Sequence, residues 1–209
     1  MKIICIGRNF SEHAKELGNK EPSEPVVFLK PDTALLRNND PFFIPDFSEE
    51  VHHEIEIVVK INRVGKNIQP KFAHKYYEEI GLGIDFTARD LQFKLKDKGL
   101  PWEKSKAFDS SAAISKIFIP KNELGDLNDL KFYLEKNGEK VQSGNTNQMI
   151  FKIEEIICYV SKFFTLKIGD LIYTGTPSGV GKININDELV GYLNNFKLLD
   201  FKVKWWGSF

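Results

Sequence analysis

Glu54 and Glu56 stand two residues apart in the run VHHEIEIVVKI, residues 51–61, where side chains alternate with the period of a β-strand. That period sends both carboxylates to one face, with Cα atoms ~6.7 Å apart at ~3.3 Å rise per residue. His52, Val58 and Lys60 share their face, while His53, Ile55, Ile57, Val59 and Ile61 form the opposite, core-facing side. If partly buried without a cation, the two carboxylates would repel by about 2 kcal/mol at an effective dielectric near 20, which a divalent ion would offset. The same spacing also suits the wet side of an ordinary antiparallel strand. Asp85 closes the segment GLGID just before a helical run and offers a third oxygen ligand at a strand end. An all-carboxylate set is hard and oxygen-rich, so it selects Mg²⁺, with Mn²⁺ or Ca²⁺ as alternatives, over Zn²⁺. His52 is the rival ligand, for a mixed nitrogen and oxygen site.

Two further pairs have catalytic spacing. His13 and Glu16, three apart on a short helix, would hold their Cβ atoms ~5–6 Å apart, close enough for the carboxylate to orient the imidazole. A solvated helix face presents the same pair. Arg89 and Gln92, one helical turn apart, could grip the distal carboxylate of a diacid, with Arg89 pairing to Asp90 or Glu103 as the alternative. The glycine-rich TGTPSGVGK, residues 174–182, fails as a nucleotide loop: Thr176 stands where the first glycine is required, and Ile183 follows Lys182 in place of Ser or Thr.

The elements that must position these groups are mostly strands. Besides residues 51–61, strands are predicted at Val26 to Leu29, Gly81 to Phe86, Lys131 to Lys136, Leu171 to Thr174 and Lys197 to Trp205. Gly81 and Gly83 mark a place where another backbone or a ligand comes close. A helix is predicted over residues 88–98, with Thr87 and Asp90 as a capping box and Gly99 as its stop. Another spans residues 150–163, its Ile153, Ile156, Ile157, Val160 and Phe164 recurring at helical spacing. Residues 10–25 are polar and allow at most a short helix over Glu12 to Leu17, which suits a mobile lid.

At 209 residues the chain is read as one domain, residues 1–209. Lys plus Arg and Asp plus Glu balance at 29 each, which argues against nucleic acid as a partner. No window approaches the ~20 apolar residues of a spanning helix, and MKIICIG is too short for a signal-peptide core, so a cytoplasmic protein is expected. Cys5 and Cys158 sit among apolar neighbours, as buried reduced thiols do. Phe201, Val203 and Trp205 alternate at the C-terminus, leaving Trp206 on the other face as a candidate contact.

HHEIEIVV, residues 52–59, followed by GIDFTARD, residues 83–90, resembles the fumarylacetoacetate hydrolase family, in which Glu-x-Glu and a downstream Asp bind the metal. GRNF with H-x-x-E (7–16), EPVVFLKP (24–31), GLPWEKSKAFD (99–109), Met149-Ile150-Phe151 and TGTPSGVG (174–181) agree in the same order. The resemblance covers nearly the whole chain and points to the acylpyruvate hydrolase and oxaloacetate-acting branch. It implies an α+β, strand-rich fold, a mixed rolled β-sheet with a few flanking helices, and a homodimer joined through an apolar surface. It also implies that Glu54, Glu56 and Asp85 bind the metal, and that His13 and Glu16 sit on a lid at about residues 10–25 and activate water. Lys106 would be the cation beside the oxyanion, and Arg8, Arg89, Gln92 and Thr176 would bind a small 2-keto dicarboxylic acid. Phe10 departs from the Tyr of many relatives. The extra N-terminal domain of the longer eukaryotic fumarylacetoacetases is missing, which points away from fumarylacetoacetate itself. The first expectation is Mg²⁺-dependent C–C cleavage of an acylpyruvate such as fumarylpyruvate. Oxaloacetate decarboxylation or keto–enol tautomerisation is the second, and 2-hydroxyhepta-2,4-diene-1,7-dioate isomerisation the third. A keto-acid or metal-binding module without catalysis is the reading from another class.

Overall fold

The computed structural model describes residues 1–16, 18 and 20–205, without the side chains of Ala14 and Lys15. Leu17, at the end of the predicted short helix, and Trp206 lie outside the described residues. A mixed sheet of eight strands runs in the order Val26–Lys30, Ile3–Gly7, Leu171–Tyr173, Ile55–Ile61, Tyr77–Asp85, Ala112–Ile114 and Leu35–Leu36, with Ile119–Pro120 added onto Tyr77–Asp85. A five-stranded sheet, Glu139–Asn145, Lys131–Lys136, Glu188–Leu193, Phe196–Trp205 and Phe42–Ile44, lies against it. A small third sheet joins Gly181–Lys182, Val51–His53 and Thr87–Ala88. The fold is therefore the expected strand-rich α+β class with a curled mixed sheet.

Alternation in the central strand divides the interior in two. Ile55, Ile57, Val59 and Ile61 face the main core, which they share with Phe42, Phe132, Leu189 and Phe201 of the five-stranded sheet. Helix Ile153–Phe163 adds Ile153, Ile156, Ile157 and Val160 to the same core, matching its predicted period. On the opposite face Val58 joins a smaller cluster with Ile3, Cys5, Ala112, Ile114, Leu171 and Tyr173. The polar face is thus closed over, and Glu54 and Glu56 are both buried, which sets aside the alternative of an ordinary wet strand face.

Three local expectations change. The predicted single strand over residues 51–61 is interrupted at Glu54, so that Val51–His53 leaves the large sheet and pairs with Thr87–Ala88 and Gly181–Lys182. The helix over Arg89–Asp97 has no capping box: Ala88 precedes it, and Thr87 donates its hydroxyl to Glu54 Oε1 at 3.0 Å. The first N–H of the helix, that of Arg89, is already taken by the Glu50 carbonyl at 2.7 Å. Asp90 instead accepts from Ser48 Oγ and from the backbone N–H of Glu49 and Leu91. Cys5 is buried, whereas Cys158 is only half-buried, and both are free thiols. Among the described residues no helix is long and apolar enough to cross a membrane.

Candidate metal centre and keto-acid cleft

Strand register brings the three carboxylates together. Ile55 stands opposite Ile84 and Glu56 opposite Gly83, and the Asp85 N–H donates to the Glu54 carbonyl at 2.9 Å, which sets Glu54 across from Asp85. Directly opposed residues share a face, and so do residues two apart. All three acids therefore leave the same side, and one ligand oxygen from each lies within 4.8 Å of the others. Gly83 leaves room in this array. A Cβ there would meet the Tyr173 ring at 2.4 Å and the Ala113 carbonyl at 2.7 Å.

Three cations hold the acids in place. Lys106 Nζ reaches Glu54 Oε2 at 2.8 Å and Asp85 Oδ2 at 2.7 Å. Arg89 Nη2 stands 2.5 Å from Glu54 Oε1, and Lys30 Nζ stands 2.5 Å from Asp85 Oδ1. All six side chains are buried. Burial would raise the Glu54 carboxyl, but Lys106 and Arg89 override it and hold the group well below the usual carboxylate range. Glu56 goes the other way: burial, then the charges of Asp85 and Glu54, push it well above that range, against one backbone N–H donated by Gly175 at 2.7 Å. Lys106, despite burial, is raised by Asp85 and Glu54 and stays charged. Three ligand oxygens within 4.8 Å of one another, one of them on an acid short of positive charge, fit a hard divalent cation.

The triad opens into a cleft of about 440 Å³, mouth included, lined also by Arg8, His13, Phe28, Gln92, Lys96, Trp102 and Thr176. Every residue of the expected set except Glu16 lines it. Glu16 reaches the cleft through His13, whose Nδ1 lies 3.1 Å from Glu16 Oε2. Both are carried by the helix Ser11–Glu16, and the Glu16 carboxylate also accepts from the Gly179 N–H at 3.1 Å. His52 stays out of the triad: its Nε2 donates to Glu50 at 2.9 Å, and its Nδ1 accepts from Arg89 Nε at 3.4 Å. Arg89 pairs with neither Asp90 nor Glu103. Its partners are Glu54 and, at 2.7 Å, Gln92 Oε1.

Sequence reading gave no role to Lys30, Asn9 and Gln142. Lys30 was placed just beyond its strand, although Phe28 and Lys30 lie two apart and so share a face. Asn9 bonds the Phe151 N–H and carbonyl and the Thr174 carbonyl, tying GRNF to two of the other resembling segments. Gly175, at φ +101°, passes so close to Asn9 that a Cβ would stand 2.7 Å from the Asn9 Cβ. Gln142, from the five-stranded sheet, accepts the Ile55 N–H at 3.1 Å through Oε1. Its Nε2 donates to the Pro177 carbonyl at 3.0 Å and to Thr176 Oγ1 at 2.9 Å. Those two backbone partners fix which end of the amide is which. Thr176 Oγ1 is thus an acceptor toward Gln142 and keeps its own proton for another partner.

Comparison with known proteins places the chain in a family. The family described as "Fumarylacetoacetate (FAA) hydrolase C-terminal" matches residues 2–203. Mitochondrial oxaloacetate tautomerase of Mus musculus is 45% identical over 202 residues, covering 97% of this chain and 91% of the relative. Mitochondrial oxaloacetate decarboxylase of Dictyostelium discoideum is 47% identical over 183 residues, covering 87% and 84%. The crystal structure of fumarylpyruvate hydrolase from Pseudomonas aeruginosa in complex with Mn²⁺ and pyruvate superposes with a TM-score of 0.92 at 33% identity, covering 98% of this chain and 90% of the other. The chain is an enzyme of the fumarylacetoacetate hydrolase family, in the branch shared by acylpyruvate hydrolases and oxaloacetate-acting enzymes.

Proposed function

We propose that this enzyme interconverts the keto and enol forms of oxaloacetate, or of a close 2-keto dicarboxylate, with Glu54, Glu56 and Asp85 holding Mg²⁺ or Mn²⁺. The observation that carries the reading is one cleft lined by a buried three-carboxylate cation site and by an oriented histidine. When bound, the cation would polarise the 2-keto acid. The rest falls to the protein. With Glu16 accepting from Nδ1–H, His13 keeps the Nε2 lone pair free to take a proton from the carbon next to the carbonyl and to pass it to the enolate oxygen, or to carry it the other way. Lys106 keeps a fixed positive charge beside the oxygen on which negative charge develops. Thr176 donates its hydroxyl to the substrate carboxylate, since its oxygen is already engaged by Gln142.

The relatives named for oxaloacetate move tautomerisation ahead of the acylpyruvate cleavage expected first from the sequence. Cleavage remains the second reading, favoured by the likeness to fumarylpyruvate hydrolase and by a histidine–carboxylate pair able to activate water. The purified enzyme with Mg²⁺ should speed the decay of enol absorbance from oxaloacetate without matching release of pyruvate. Stoichiometric pyruvate from oxaloacetate would make it a decarboxylase, and turnover of fumarylpyruvate alone would restore the hydrolase reading. The proposal retains a homodimer and a lid at about residues 10–25 that carries the helix Ser11–Glu16, testable by light scattering and by hydrogen exchange with and without oxalate.

A further inference from the structure

Helix Arg89–Asp97 carries a second cation into the cleft, Lys96, two turns beyond Arg89. The cations nearest the triad are already committed. Arg89 is engaged at every nitrogen, by Glu54, Gln92 and His52, and Lys106 bridges Glu54 and Asp85. Lys96 and Arg8 differ: both line the cleft, and among the described residues neither forms an ion pair. The Lys96 ammonium lies 5.0 Å from the centroid of the Trp102 ring, and the residue is half-buried. Arg8 is held at φ +59°, a costly backbone state for a residue with a Cβ, in a turn pinned by the buried side chain of Asn9.

Charge bookkeeping makes the pair conspicuous. Lys30, Lys106 and Arg89 already match the three carboxylates in number, and a divalent cation adds further positive charge. Lys96 and Arg8 are therefore a surplus that repels itself unless an anion enters. Both stand in the same cleft as the triad but outside its ion pairs, where the far end of a bound 2-keto acid would arrive.

We infer that Lys96, with Arg8 beside it, receives the distal carboxylate of the substrate and sets the preference for a 2-keto dicarboxylate over a 2-keto monocarboxylate. The inference deepens the proposed function and rests on its 2-keto acid reading. It moves the distal contact away from the Arg89–Gln92 pair, whose guanidinium is tied to Glu54 and to the Gln92 amide oxygen. Burial first, then Arg8, Arg89 and Lys106, lower the Lys96 pKa to about 8, with Glu54 opposing. The charge that would hold the distal carboxylate is present below about pH 8 and fades above it.

Calorimetric titration of the Mg²⁺-loaded enzyme with difluorooxaloacetate, a dicarboxylate that cannot enolise, and with pyruvate tests this. Wild type should prefer the dicarboxylate. Lys96→Gln should weaken dicarboxylate binding at least tenfold and change pyruvate binding less than twofold, while Lys96→Arg keeps the preference. Dicarboxylate affinity of wild type should fall as pH rises through about 8, and that fall should vanish in Lys96→Gln. Equal losses for both ligands, no loss for either, or no preference in wild type overturns the inference. If oxaloacetate is not turned over yet the preference and its loss appear, the subsite stands and the reaction assigned above fails. Turnover of oxaloacetate with the preference intact in Lys96→Gln sinks the subsite alone.

Discussion

The carboxylate triad and the His13–Glu16 pair serve one cleft but are anchored in contrasting ways. Glu56 and Asp85 stand on Ile55–Ile61 and Tyr77–Asp85, two adjacent strands inside the eight-stranded sheet, and Glu54 is hydrogen-bonded to Asp85 through its carbonyl. Their side chains are buried and braced by Lys30, Lys106 and Arg89. The His13–Glu16 pair sits on a six-residue helix, and Glu16, a third exposed, accepts from the Gly179 backbone. A cation site must keep its oxygens in place before the ion arrives, which sheet register does well. A proton-transferring pair must let substrate in and out, which a short peripheral helix permits.

The contrast can be broken at either end. Glu56→Gln should cost the most: it removes a ligand from a rigid site that nothing else can replace, so metal-dependent turnover should fall on the order of 10³-fold or more, as removal of a group acting within a catalytic unit does. Measurement of kcat in the presence and absence of a chelator checks it, and a wild-type rate in chelator would refute the metal mechanism. His13→Ala should lower kcat by about 10²–10⁴, the range for a general base, and leave Mn²⁺ affinity within a factor of a few. If metal binding collapsed with it, the two regions would not be separable. Lys30→Met acts on stability first. It strands the buried Asp85 charge beside Lys106 alone, so unfolding in urea should show a loss of about 3–5 kcal/mol. Added Mn²⁺ should recover part of that loss, because an ion bound only by the folded state replaces the missing charge.

The same contrast explains what the amino-acid order made legible. Glu54, Glu56 and Asp85 could be read because two acids spaced by two keep the strand period and a third closes the segment GLGID. Burial of their face could not, since it is closed by Cys5, Tyr173, Ala112 and Ile114 from strands remote in sequence. Lys30 was missed although its alternation with Phe28 carried the signal, because a lysine ending an apolar run reads as the place where a strand leaves the core. The break at Glu54 was equally hidden: nothing in the alternation of VHHEIEIVVKI marks it, and only pairing with Thr87–Ala88 and Gly181–Lys182 diverts its first three residues. Gln142 and Asn9 act through backbone partners 87 and 142 residues away, a relation that local pattern does not encode. The capping box failed for a related reason. Thr87 had the right spacing to Asp90, but tertiary structure brought Glu54 to its hydroxyl.

Crystals grown with Mn²⁺ and oxalate, measured at the manganese absorption edge, address the central point most directly. The anomalous map should show one peak per chain, bonded by oxygens of Glu54, Glu56 and Asp85, with oxalate completing its coordination. A peak elsewhere, or none at saturating Mn²⁺, would contradict the account.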